Sequence, residues 1–520
     1  MKTQNTTIIM MIALIVALGG LLMGFDASVI SGVVKFIEPE FELTKLELGW
    51  SVASLTLTAT LAMMVAGPLS DKYGRRTVLR YAAVLYAISA IGSAVAPSFI
   101  FLVVARMIGG LGVGASLILA PMYIAEISPP AMRGRMVSFN QLNIVVGISL
   151  AFFTNYLILQ LGKSDASWAI NLKFDEYNWR WMLGLETLPA ILYFFGLFAV
   201  PKSPRWLIMH GETEEAIKIM SRFSDPSDAQ KQILTIKKSL DQEDNKQKSA
   251  VKDLFSPSLR LVITIGVVVA ILQQITGINS VFFYAPMIFE QSGLGTDASF
   301  IQAILVGIVN LVFTILAILF IDKLGRKPLL SLGVAGIAIS MFVLSYGFNS
   351  ATYSFTNESI AGLPETAQQE QLDALVSSSF NSEEEMEVAA SAIVGDAVYA
   401  DHKNDFIKAS IHMNTGLILF AILSFVASFA ISLGPVMWVL FSELFPNKIR
   451  GIAISFVGLI NSAVSFIVQW IFPWELDVLG SSTTFLIYGV FAAVGLIFIV
   501  RVIPETKGKS LEELEAQLVK

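Results

Sequence analysis

"DKYGRR" at residues 71–76 and "DKLGRK" at residues 322–327 are nearly the same hexapeptide, set 322 − 71 = 251 residues apart. Each ends one long apolar run and opens another. A second pair repeats with them: "YIAEISPPAMRG" from Tyr123 resembles "LFSELFPNKIRG" from Leu440, matching Glu126 with Glu443 and Arg133 with Arg450. That offset is 443 − 126 = 317, so the second copy holds 317 − 251 = 66 extra residues between its motifs. Charged motifs repeated between apolar runs indicate a duplicated membrane bundle, an arrangement that places a site at the interface of its halves.

Composition agrees. Of 520 residues 55% are hydrophobic and only 15% charged, against about 25% charged in soluble proteins, so lipid has to cover much of the surface. A hydrocarbon core of about 30 Å takes roughly 20 apolar residues per helix. On that scale twelve spans fall near 7–31, 48–69, 78–96, 99–122, 136–160, 180–200, 259–289, 298–321, 328–347, 411–442, 450–473 and 481–502. The expectation is an all-α membrane protein of two six-helix halves. Residues 1–201 form the first, 202–258 a cytoplasmic helical linker, 259–503 the second, and 504–520 a cytoplasmic C-terminal helix.

The first run carries only Lys2 ahead of it and no small-residue cleavage site behind it, so it reads as a retained helix and not a signal peptide. The absence of cysteine excludes disulfides, thiolate metal sites and a cysteine nucleophile. Orientation follows from the short loops. One set holds Lys72, Arg75, Arg76, Arg133, Arg135, Lys323, Arg326, Lys327, Lys448 and Arg450; the other holds Glu38, Glu40, Glu42, Glu290, Asp297, Glu475 and Asp477. The basic set belongs in the cytoplasm, which puts both termini inside the cell membrane.

The extra residues, about 349–408, are polar, rich in Ser and Ala, and include "NSEEEMEV". They are expected outside the cell as a solvated loop, a folded cap being the alternative because "ETAQQEQLDALV" has helical spacing. In the linker, "TEEAIKIMSRF" presents Ala216, Ile217, Ile219 and Met220 on one face, fit to lie at the membrane's inner surface and tie the halves together.

An ionisable group inside a span is costly unless paired or hydrated, so each needs a reason. Asp26, Arg106 and Glu186 fall at similar depth in the first half and are expected to form one buried network. A static ion pair that only fixes packing is the plain alternative. Such pairs are often no better than apolar packing for stability, which favours a group that changes state. The second half offers neutral polar groups: Gln273, Gln274 and Asn279 in "ILQQITGINSVFFYAP", then Asn310, Trp438 and Asn461. Gln273 and Asn279 are about 240° apart on an ideal helix, so they share a cavity only if Gly277 and Pro286 break the helix. Amides donate and accept together, as sugar hydroxyls require.

"GFDASVISG", "GPLSDKYGRR", "RMIGGLGVG", "YIAEISPPAMRGRMVSFNQ", "QQITGINSVFFYAP", "GPVMWVLFSELFP" and "PETKG" together resemble the sugar porter family of the major facilitator superfamily. The resemblance implies sugar contacts at Gln141, Gln273, Gln274, Asn279, Asn310, Gly434, Trp438 and Asn461, and an aromatic gate at Phe283 and Tyr284. It implies inner charge clusters made by Asp71, Arg75, Glu126 and Arg133, and by Asp322, Arg326, Glu443 and Arg450. Asp26 and Arg106 match the coupling pair of the family's proton symporters, with Glu186 a nearby acid; facilitative animal relatives carry an amide in place of Asp26. Two positions depart from the pattern. "PKSPRWL" has Lys202 where the family usually has an acid, and Ser462 replaces an aromatic residue.

The expected function is therefore proton-coupled import of a hexose or pentose by alternating access. The protein would act as a monomer in the lipid bilayer, with the monosaccharide and the proton as its partners. No cofactor, metal or nucleic acid is implied. A facilitative uniporter is the nearest rival. A non-transporting sensor lacks a long signalling tail here, and an enzyme would need a reactive constellation that His210, His402 and His412 do not form.

Overall fold

A backbone in lipid has to satisfy its own hydrogen bonds, so apolar runs of this length become helices. The computed structural model describes residues 6–129, 132–222, 226–245, 251–364, 372–376, 378–446, 449–509 and 511–518. Lys448 and residues 365–371 of the Gln-rich stretch lie outside them, as do the side chains of Arg133 and Asp322. The first half comprises α1 (Thr6–Glu40), α2 (Lys45–Tyr73), α3 (Arg75–Ala94), α4 (Phe99–Ile127), α5 (Arg133–Gly162) and α6 (Asn178–Ala199). The second begins with α7 (Pro257–Glu290), α8 (Thr296–Leu324), α9 (Arg326–Asn349) and α10 (Thr415–Leu444).

The last helical run, Arg450–Val502, is 53 residues. Straight, it would reach about 80 Å, well over twice a bilayer core. Gly480, at φ 75°, breaks it into α11 (450–479) and α12 (481–502). The fold-back is visible in side chains: Tyr488 donates to the Glu475 carboxylate at 2.7 Å, and Thr484 to the Glu475 carbonyl at 3.2 Å. Residues thirteen apart on one straight helix would be about 20 Å distant. Twelve spans result among the described residues.

Helices end at two faces. The motif side carries the repeated hexapeptides, the start of α1 at Thr6 and the helix Leu511–Leu518, and the cap side carries the insertion. At the cap side the halves are closed against each other: α2 packs along α11, α5 along α8, and α1 on the second segment of α7. Lys35 of α1 pairs with Glu290, Lys163 at the end of α5 pairs with Asp297 at 2.6 Å, and the Trp470 indole donates to the Leu46 carbonyl at 3.1 Å. Two motif-side charge clusters among the described residues lie within single halves. Arg75 meets Asp71 at 2.7 Å and Glu126 at 3.2 Å, while Arg326 meets Glu443 at 2.8 Å.

The solvated loop expected for the insertion is replaced by a folded cap. Strands β1 (Thr352–Ser354), β2 (Ser379–Phe380) and β3 (Ile411–His412) form an antiparallel sheet in the order β2-β1-β3. Helices Glu383–Val394 and Lys403–Ser410 cover a separate core of Tyr353, Phe355, Ile360, Met386 and Phe406. Its apolar residues are scattered among polar ones and never form a run, which is why composition alone read as a loop. Met386, Ala390 and Val394, four apart, are the helical signal inside it.

In the linker, Ala216, Ile219 and Met220 of helix Thr213–Met220 are buried against the motif-side core of the first half. The C-terminal helix Leu511–Leu518 packs beside α10, with Leu514 and Leu518 buried.

Candidate functional site

Helix α7 is two segments, Arg260–Ile275 and Ile278–Glu290. Between them Gly277 adopts φ 86°, the left-handed region that favours glycine. A side chain there would also strike the Tyr488 ring at 2.4 Å, so both the turn and the space require glycine. The break brings Gln273 and Asn279 into one network, as their positions on a straight helix would forbid. Gln274 donates to Gln273 Oε1 at 3.1 Å and to Asn461 Oδ1 at 3.2 Å, and accepts from Asn279 at 2.8 Å. Asn461 on α11 donates to Gln273 Oε1 and to the Ala270 carbonyl, both at 2.8 Å. Helix α10 is also broken, at Ser432, and the Leu433 carbonyl just beyond accepts from Gln273 at 3.0 Å.

The other expected contacts are distributed less tightly. Trp438 on α10 is 47% exposed, sets its ring edge-on to Phe441 at 5.9 Å, and approaches Gly458 of α11. Gly434 lies two residues past the α10 break. Asn310 is buried on α8 and Gln141 is exposed on α5; neither joins the bonded amides among the described residues. Phe283 is buried, and Tyr284 forms a second kink at φ −127°, its hydroxyl donating to the Gln469 carbonyl at 3.0 Å.

Sequence reasoning missed Ser465, Gln469 and Thr56. Asn279 donates to Ser465 at 2.7 Å, Gln469 donates to Ser465 at 2.6 Å, and Thr56 of α2 donates to Gln469 Oε1 at 2.8 Å. The signal was present: Asn461, Ser465 and Gln469 are four apart, a polar stripe on an otherwise apolar span.

In the first half, Arg106 and Asp26 meet at 3.4 Å, each about 2% exposed, and Arg106 Nε donates to the Ser51 carbonyl of α2 at 2.9 Å. Gly109 lets the carboxylate sit against α4, since a Cβ there would lie 3.1 Å from Asp26 Oδ2. That oxygen and Glu186 Oε1 are buried without a hydrogen-bond partner among the described residues. Glu186 lies close enough to Asp26 and Arg106 to interact with both charges. The three ionisable groups therefore share one buried region in which only one carboxylate is directly paired. At the motif side, Ser203 donates to Glu126 and Thr506 donates to Glu443 at 2.7 Å, extending each half's charge cluster. Arg450 donates to the Phe445 carbonyl at 3.0 Å.

Amides that bond one another can exchange those bonds, one for one, with the hydroxyls of a polyol. A carboxylate with one charged partner and one free oxygen can take up a proton with little rearrangement.

Comparison with known proteins gives the family. The family model for sugar (and other) transporters matches residues 12–363 and 388–518; the gap falls in the cap. The arabinose-proton symporter of Bacillus subtilis (strain 168) is 34% identical over 523 residues, covering 100% of this chain and 97% of its own. The D-xylose-proton symporter of Escherichia coli (strain K12) is 36% identical over 552 residues, covering 99% and 97%. Among solved structures, the inward-open xylose transporter XylE from E. coli superposes with a TM-score of 0.73 at 34% identity, covering 98% of this chain and 100% of that one.

Proposed function

We propose that this chain, which belongs to the sugar porter family of the major facilitator superfamily, couples the import of a monosaccharide to the entry of a proton. The motif side is cytoplasmic and the cap side faces out, as the basic loops direct. The protein works as a monomer in the cell membrane. One observation carries the coupling: Asp26 and Arg106 are paired inside the first half with a free carboxylate oxygen beside them. A pair kept only for packing would be expected to satisfy both oxygens.

The mechanism follows from the residues. Protonation of Asp26 removes its charge and releases Arg106, which remains held by the Ser51 carbonyl. Gln273, Gln274, Asn279 and Asn461 exchange their mutual bonds for sugar hydroxyls, with Trp438 against the apolar ring face. Proton and sugar are coupled because both bias the same equilibrium between outward- and inward-facing states.

The test is uptake in proteoliposomes by the purified protein, with an imposed inward pH gradient and a panel of L-arabinose, D-xylose and D-glucose. Accumulation abolished by a protonophore is expected for at least one sugar. Counterflow without any response to the gradient would make the protein a uniporter.

A further inference from the structure

Helix α2 touches both candidate sites. Its Ser51 carbonyl holds Arg106, and five residues farther on its Thr56 hydroxyl bonds Gln469 at 2.8 Å. Five residues are about 7.5 Å of helix, so the proton pair and the end of the sugar network hang from adjacent turns of one rigid rod. Gln469 has three attachments. Its side-chain amide donates to Ser465, which accepts from Asn279; its side-chain oxygen accepts from Thr56; and its carbonyl accepts from Tyr284 at the α7 kink. It is 1% exposed, so each lost bond would strand a buried polar group.

Helix α2 belongs to the first half and α11 to the second. Their contact is part of the cap-side closure, and the Thr56–Gln469 bond crosses it, so separating α2 from α11 there would break that bond. We propose that Thr56 and Gln469 are positioning residues that form the coupling latch: sugar held by the α7 and α11 amides sets Ser465 and Gln469 to receive Thr56, and so draws α2, with Arg106 attached, into the outward-closed position. This rests on the symport reading for what is coupled, but the latch itself is a statement about which state the bond favours.

Because the chain has no cysteine, a single introduced thiol reports alone. Gly49, Val52 and Thr56 share one face of α2; a side chain on Gly49 would strike the Trp470 carbonyl of α11, and Val52 is 2% exposed. Val52→Cys in intact cells should react slowly with a membrane-impermeant maleimide. Adding Thr56→Val or Gln469→Leu should speed labelling three- to tenfold. The double variant should be no faster than the faster single, since both remove one bond, and Thr56→Ser should restore the slow rate. In proteoliposomes with D-xylose, the ratio of pH-driven accumulation to counterflow should fall at least threefold in Thr56→Val and recover in Thr56→Ser. Equal labelling in all variants, or multiplicative effects in the double, would overturn the latch. Accumulation and counterflow falling in proportion would reduce it to a structural contact. An unmutated protein that ignores the pH gradient would instead refute symport, and the labelling series would still decide the latch.

Discussion

Lys202 and Glu505 occupy equivalent places in the two halves and carry opposite charges. "PKS" at 201–203 and "PET" at 504–506 each follow the last span of their half. Ser203 donates to Glu126 as Thr506 donates to Glu443. Glu505 then accepts from the backbone N–H groups of Arg326 at 3.1 Å and Lys327 at 3.2 Å, capping the start of α9. Lys202, whose ammonium only donates, could not cap α3 in the same way. Instead Lys202 turns to the linker, pairing with Glu212 and Glu215 at 3.1 Å each.

The two residues should consequently fail differently. Glu505→Ala leaves helix-end N–H groups uncapped and should cost about 1–2 kcal/mol, visible as a lower unfolding midpoint in detergent. Partial burial alone would raise the Glu505 carboxyl above its ordinary 4.5, but the N–H groups of Lys507, Arg326 and Lys327 outweigh it and hold it lower. Its contribution is thus complete above pH 4.5 and is lost as pH falls through the lower folded value. Lys202→Ala breaks a half-exposed pair worth under about 1 kcal/mol. The midpoint should barely move, while hydrogen exchange in 213–220 speeds up roughly two- to fivefold.

Within the amide network, Gln274→Ala or Asn279→Ala should weaken sugar binding by about 1–3 kcal/mol, because hydroxyls lose partners in a dehydrated site. That is roughly five- to 150-fold in Kd by calorimetry. Trp438→Ala should weaken it through lost ring contact. Unchanged affinity in any of these would remove that residue from the site.

The cap makes a separable prediction. Phe406 is fully buried, set against Phe355 at 6.3 Å and Tyr399 at 5.2 Å. Phe406→Ala should cost the cap about 3–5 kcal/mol. Because its core is distinct from that of the bundle, limited proteolysis should cut within 352–412 while counterflow persists. Loss of counterflow in protein that still inserts would show that the cap supports the closed side.

The bundle was legible because lipid demands long apolar runs, and the repeated hexapeptides announced the two halves. The break at Gly277 could be read from Gly and Pro in an apolar run with two amides on opposed faces. The cap was not legible in the same way. Its core is assembled from single apolar residues spread over some sixty positions, and no local window contains enough of them. Ser465, Gln469 and Thr56 escaped because hydroxyls and a lone amide in a span have many ordinary uses; only their alignment across α2 and α11 gives them a role.

The last prediction concerns Asp26. In the paired state its charge and that of Arg106 offset each other inside the first half, and Arg106 is anchored on α2. Asp26→Asn keeps the shape and removes the charge, imitating a permanently protonated carboxyl. The variant should therefore still bind sugar and exchange it by counterflow, since neither step requires the proton to leave. Net accumulation should vanish, because no proton is released inside to make the cycle directional. In the unmutated protein a membrane potential adds about 2.3 kcal/mol per charge per 100 mV, a factor of roughly 50 in accumulation; in the variant, potential should have no effect. Counterflow and gradient-driven uptake measured in the same liposomes separate these outcomes. Accumulation that survives in Asp26→Asn would move the proton site to Glu186, whose buried oxygen without a partner makes it the next carboxylate able to hold a proton.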